Sequence, residues 1–220
     1  MWNITLLYHV VHEGGKLSRK KKPVGRDELL ESCLAEFIQA GTLDMSLDQL
    51  AKNVTSSKRM LIHYFGNREN LEEMVMARLE DRLRARFSAA SFPAGTPLHR
   101  VVLALWEQST QPQSRGVLQL IMDVNRRGWS GSERGRTFYR EQQKLWVDLL
   151  RKFLADPADV EALLQLFQGA ILVYLMTGER DQGRRALERM SKKDVSSRKR
   201  GLAVSRRSQP KPRHKKATKI

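Results

Sequence analysis

Ser46-Leu47-Asp48-Gln49-Leu50-Ala51-Lys52-Asn53-Val54-Thr55-Ser56-Ser57-Lys58-Arg59-Met60-Leu61-Ile62-His63-Tyr64-Phe65-Gly66-Asn67-Arg68-Glu69-Asn70-Leu71 is the stretch whose reading decides the fold. Ser46 with Gln49 three residues on predicts a capping box, in which two otherwise orphaned backbone N–H groups gain side-chain partners and a helix starts. A second helix begins after the polar turn Thr55-Ser56. At 100° per residue, Leu61 and Phe65 fall on one side of it, while Arg59 and His63 point the opposite way, flanked by Met60 and Ile62. A short helix with an apolar inner face and an Arg-bearing outer face meets the requirements of a major-groove reader, so the segment points to DNA recognition.

Roles follow from position. Arg59, near the start of the outer face, is the candidate for a bidentate contact to guanine, a contact of about 1–3 kcal/mol in discrimination. Lys58 and His63 are placed to reach base edges or phosphates, and Met60 and Ile62 to pack on thymine methyls. Arg68, at the start of the next helix, is assigned to phosphate, and Ser57 and Ser46 at helix starts to backbone-anchoring bonds.

The run Ser46 to Leu71, and within it Arg59 to Leu71 most of all, resembles the DNA-binding domain of TetR-family transcriptional repressors. The resemblance extends back through the helix Asp27 to Ala40 and its Gly41 stop. Two departures have physical consequences. Where the family has Gly in the turn, this chain has Thr55, a β-branched residue that tolerates positive φ poorly, so Asn53 is expected to take the left-handed conformation or the turn to differ slightly. Ile62 stands where the family has the first Tyr of its reading helix, and the phosphate hydrogen bond of that Tyr is lost. Tyr64 matches the family's phosphate-contact position, against an alternative as a core ring beside Phe65. The resemblance further implies an all-α fold and a homodimer with two reading helices about one DNA turn apart on a pseudo-palindromic double-stranded site. It also implies a small-molecule inducer, bound in the body, that favours a conformation unable to match the operator.

Charge adds less than its total suggests. The net charge is +16, but residues 1–26 hold six basic groups and one acidic, and residues 191–220 twelve and one. Between them, 22 basic groups balance 22 acidic ones. The excess therefore sits in two tails, and the folded part is neutral. The opening residues 1–15 form a short apolar run whose positive charges follow it, an order that argues against a secretory signal. A start upstream of the true one, with Leu17 or Val24 able to begin the fold, is one explanation, and a real extension the other. The single Cys33 sits among Leu29, Leu30, Leu34 and Phe37, as a small buried apolar residue of a protein expected in the cytoplasm.

Organisation is expected as follows. Residues 1–25 form a disordered basic arm, 26–71 the helix-turn-helix domain, 72–192 a helical regulatory and dimerisation domain, and 193–220 a disordered basic tail. The connecting helix, 72–87, is capped by Asn67 and carries Leu71, Val75, Leu79, Leu83 and Phe87. Thr96 caps and Pro97 opens a helix to about Gln111, followed by helices at about Ser114 to Arg126 and Glu133 to Leu154. Asp156-Pro157 repeats the signal for a long apolar helix to about Thr177, and Asp181 to Lys192 is the last. No span reaches the length of a membrane helix, and Val160 to Met176 reads as a buried or subunit-interface helix, so no membrane partner is expected.

In the body, Trp106, Met122, Phe138, Trp146, Phe167 and Tyr174 are candidate pocket residues, with core packing as the competing reading. Gly169, Ala170, Val173, Thr177, Leu187 and Met190 are candidate dimer-interface residues, with Gly169 and Ala170 allowing close helix approach. No cofactor, metal or catalytic constellation is expected. Five scattered His and one Cys make no zinc site, and Gly131-Ser132-Glu133-Arg134-Gly135 lacks the nucleophile-elbow spacing. The reading is therefore a non-enzymatic, sequence-specific transcriptional regulator, a repressor released by a small ligand. The alternative is a weakly specific nucleic-acid-coating protein whose basic tails dominate binding.

Overall fold

A computed structural model describes residues 25–89, 92–93 and 95–192, with backbone only at 86–89. The arm expected at residues 1–25, apart from Gly25, the tail expected at 193–220 and the side chain of Phe87 lie outside the described residues. Among those residues the chain is all-α, with no strand. Its helices are α1 (Arg26–Ala40), α2 (Leu47–Asn53), α3 (Lys58–Phe65), α4 (Arg68–Ala89), α5 (Leu98–Ser109), α6 (Arg115–Trp129), α7 (Glu133–Leu150), α8 (Pro157–Thr177) and α9 (181–192), with a 3-10 turn at Pro112–Ser114 before α6.

Helix starts follow local chemistry. Ser46, Ser57 and Ser132 each accept from the backbone N–H three residues on, at 3.1, 3.2 and 3.1 Å, and Asp156 accepts from Ala158 N at 2.9 Å. Each such cap stabilises its helix by about 1 kcal/mol. Two expected details differ. Gln49 does not reach back to Ser46; its Nε2 donates to Asn53 Oδ1 at 2.8 Å, so the capping box is half closed. Thr96 donates its hydroxyl to Pro93 O at 2.6 Å and caps nothing, and Pro97 itself is the N-cap of α5.

Two apolar cores organise the molecule. The first joins α1, α2, α3 and α4 to Val117, Leu120 and Val124 of α6 and Phe138 of α7. The second joins α5, the end of α7, α8 and Leu187 of α9. No core boundary falls at residue 71: Leu71, Val75, Met76, Leu79 and Leu83 of α4 run on as part of the head's core. Three short helices are too small to close a core alone, and the body supplies the missing wall. Gly116 permits this contact, because a Cβ there would stand 2.1 Å from Ile38 O of α1.

By length and composition α8 is long and apolar enough to cross a membrane, contrary to the sequence expectation. Its inner face, with Val160, Leu163, Leu164, Phe167, Ile171 and Tyr174, is buried in the second core.

Candidate nucleic-acid interface

Leu61 and Phe65 anchor α3 in the first core, each 1% exposed. Rotation by 100° per residue then turns Lys58, Arg59, Ile62 and His63 outward, and all four are exposed. Arg59 makes no hydrogen bond or ion pair to any described residue, which leaves its whole guanidinium fork available. Lys58 Nζ lies 2.9 Å from Asp48, a pair with both side chains at least half exposed and therefore easily exchanged for another anion. Ile62 is 44% exposed, an apolar side chain turned outward. Met60 is half-buried at the edge of this face.

Four assigned residues are held in ways the sequence did not show. Tyr64 is half-buried, packs against the first core and stands 5.1 Å from the His63 ring, intermediate between the two roles foreseen for it. Ser46 and Ser57 have their hydroxyls engaged as caps, so any DNA contact from them would come mainly from the backbone. Arg68 is not a free phosphate anchor. Its guanidinium donates to Met45 O, to Leu43 O at 2.8 Å and to Glu72 Oε1 at 2.8 Å, which clamps the α1–α2 loop to α4. Loop carbonyls with spare acceptor capacity attract the nearest long cation, and sequence spacing does not reveal them.

The turn before α3 also differs. Asn53 remains helical, and Thr55 takes the left-handed conformation at φ 53°, the one non-glycine to do so among the described residues. Thr55 N donates to Lys52 O and Ser56 N to Ala51 O, the paired bonds of a Schellman ending. These bonds fix where the chain turns, and the residue at that point bears the strain.

The same α1–α2 loop is held from the body. Asp123 of α6 accepts from Thr42 Oγ1 at 3.1 Å and from Leu43 N at 3.0 Å. Arg127 bridges Asp44 at 2.8 Å and Glu72 at 2.7 Å, and Arg126 bridges Asp44 and Asp123. Burial pushes the Asp123 carboxyl up, but the Leu43 N–H, the Arg126 and Thr42 hydrogen bonds and the Arg127 charge outweigh it and hold it below the ordinary value. The sequence signalled none of the contacts between α6 and the head, because those partners lie 55 to 83 residues apart.

Behind this contact lies a cavity of about 1000 Å³ between α4, α5, α6, α7 and α8. Of the candidate pocket residues, Met122, Trp146 and Phe167 line it. Trp106, Phe138 and Tyr174 do not: they are core. Trp106 packs edge-on to Phe167 and Tyr174, Phe138 completes the first core, and Tyr174 donates to Thr110 O at 3.2 Å.

The interface assignments divide similarly. Ala170 and Leu187 are buried in the second core. Close approach of α8 and α9 comes through Gly183, whose added Cβ would meet the Trp106 ring at 2.5 Å and Ala170 Cβ at 3.1 Å, whereas Gly169 faces open space. Val173 and Met190 are half-buried and Thr177 exposed. Sequence reasoning missed Leu172 and Met176, 53% and 79% exposed, which share an outward face with Gly169.

No family model matches the chain. Among curated proteins, the HTH-type transcriptional regulator BetI of Brucella melitensis is 30% identical over 92 residues, 41% of this chain and 46% of that protein. BetI of Rhizobium meliloti is 32% identical over 80 residues, 36% and 39% of the two chains. The matched stretch thus spans less than half the length of these relatives. A crystal structure described as a TetR-family transcriptional regulator from Mesorhizobium loti superposes with a TM-score of 0.54 at 17% identity, covering 82% of this chain and 98% of the other. The chain carries the all-α fold of TetR-family transcriptional regulators, and in sequence it resembles that kind of protein.

Proposed function

We propose that the protein is a DNA-binding transcriptional regulator that reads double-stranded DNA with α3 as a homodimer, and that it represses until a small molecule occupies the body cavity. The carrying observation is α3 itself: two buried anchors and, on the opposite face, Lys58, Arg59, Ile62 and His63 exposed together, with Arg59 unpaired among the described residues. This face supplies a fork-shaped donor set for guanine and an apolar contact for a thymine methyl. The curated relatives are named as transcriptional regulators, which supports the same reading.

Release is argued from the wall that the cavity shares with the head. Asp123 and Arg126 line the cavity and at the same time hold Thr42, Leu43 and Asp44, and Gly116 of the same helix touches Ile38 of α1. A ligand that displaces α6 therefore moves the loop from which α2 and then α3 start. It shifts the equilibrium only by its preference for the displaced arrangement.

Selection of bound DNA from a random pool at near-physiological salt tests this reading, with the full chain, with Arg59→Ala and without residues 195–220. The expected result is a palindromic consensus that survives loss of the tail and relaxes at one base pair per half-site in Arg59→Ala, with about 1–3 kcal/mol lost there. Enrichment of no sequence by the full chain, or loss of most binding with the tail, would instead establish a nonspecific nucleic-acid-coating protein.

A further inference from the structure

The cavity has a distinctive wall. Most of it is apolar and aromatic, from Leu118, Ile121, Met122, Trp146 and Phe167, with the exposed Trp129 and Leu172 at its rim. Into this wall two amides are set without partners. Gln142 of α7 is only 7% exposed and its Nε2 is fully buried with no hydrogen bond, and Asn125 of α6 buries its Oδ1 in the same condition. A buried amide with no partner is destabilising, and neither joins a hydrogen-bond network among the described residues.

The charged groups on the wall, by contrast, are committed. The Asp123 carboxylate holds the α1–α2 loop and Arg126. Arg136 and Arg140 both pair with Glu133 and are half exposed or more. A cation would face these arginines with no free carboxylate to meet it. An anion would find only guanidiniums that are already paired and solvated.

We propose that the cavity binds an uncharged, largely apolar or aromatic ligand bearing one compact polar head with both an acceptor and a donor, such as a carboxamide, held by Gln142 and Asn125. The head's carbonyl accepts from an amide N–H of Gln142 and its N–H donates to the Asn125 carbonyl, while the aromatic side chains and Met122 enclose the body. The inference rests on the reading of the body as the regulator's sensor, but it concerns the cavity alone and is measurable without DNA.

The probes are naphthalene carboxamide, naphthalene, naphthoate and naphthylmethyl trimethylammonium, titrated calorimetrically into the full chain and followed through tryptophan fluorescence, since Trp129 and Trp146 line the site. The expected result is that the carboxamide binds roughly tenfold or more tightly than naphthalene and than either ion. In Gln142→Leu, and independently in Asn125→Leu, this preference should collapse toward one while naphthalene affinity persists, an outcome that misfolding would not give. Gln142→Glu, which keeps the shape and removes the donor, should also weaken the carboxamide selectively. Equal binding of carboxamide and naphthalene, preference for either ion, a preference that survives all three substitutions, or no binding of the carboxamide up to its solubility would overturn the proposal. Gln142-dependent carboxamide binding that leaves DNA affinity untouched would uphold it and instead refute release by this site.

Discussion

At the end of α2 the backbone must turn left-handed, and it does so at a threonine. The αL conformation costs a non-glycine residue roughly 1–2 kcal/mol, and β-branching places Thr55 at the upper end. Thr55→Gly removes that strain at an entropic cost of roughly 0.5–1 kcal/mol, so the variant should be more stable by about 0.5–1 kcal/mol, read as a higher urea midpoint at unchanged slope. An unchanged midpoint would mean that the turn relaxes around threonine in solution. Arg68 gives a second test at this scale. Replacing it with Met keeps the stem but leaves Met45 O without its donor and Leu43 O with only the Met45 N–H, and it should cost roughly 2 kcal/mol of stability. Arg59→Ala, with no partner among the described residues to lose, should leave the melting temperature unaltered. Equal effects of the two on stability would contradict their assigned places.

At the scale of elements, what the sequence disclosed was what chemistry settles locally. The starts of α2, α3, α7 and α8 were legible because a serine or aspartate caps the N–H groups two or three residues away, and Gly41 and Gly178 mark stops by the same local logic. The outward face of α3 was legible because Leu61 and Phe65 fix its rotation. Residues whose role depends on distant partners were not: Arg68, Asp123, Trp106 and Ala170 look in sequence like a surface cation, a helix-surface acid, a pocket ring and an interface alanine.

Asp123 also carries a pH dependence. A carboxylate held below its ordinary value stabilises the folded state fully above that value, 3.8 here, and the contribution disappears as pH falls through the lowered folded value. Acidification into that range should therefore loosen the α6 grip on the α1–α2 loop. Asp123→Asn should lose about 1–2 kcal/mol at neutral pH and show correspondingly less acid destabilisation, with hydrogen exchange at Leu43 as the local measure. Equal acid sensitivity in variant and wild type would assign the pH dependence to another carboxylate.

For the whole molecule, the outward face of α8 is the open question of assembly. Ala162, Gln165, Gly169, Leu172 and Met176 recur at spacings of three and four and are all exposed, whereas α9 turns Arg184, Arg185 and Arg189 outward. A 21-residue helix is about 31 Å long, so one such face covers only part of the ~800 Å² that a stable interface takes from each partner. In the proposed homodimer, pairing α8 and α9 of one protomer with the same helices of another would give a four-helix arrangement of sufficient extent, in which each copy would bury the apolar seam of the other. The small side chains at Ala162 and Gly169 allow the axes to approach, and Leu172 and Met176 fill the gaps. Substituting both Leu172 and Met176 with Glu places two like charges opposite their own copies, so sedimentation equilibrium should show a monomer with intact helical content. DNA affinity should then fall by a factor of 10² or more, because two half-sites are no longer bound by one linked pair of reading helices. A doubly substituted protein that remains dimeric would remove α8 from the interface and leave its exposed apolar face to be explained by a different partner.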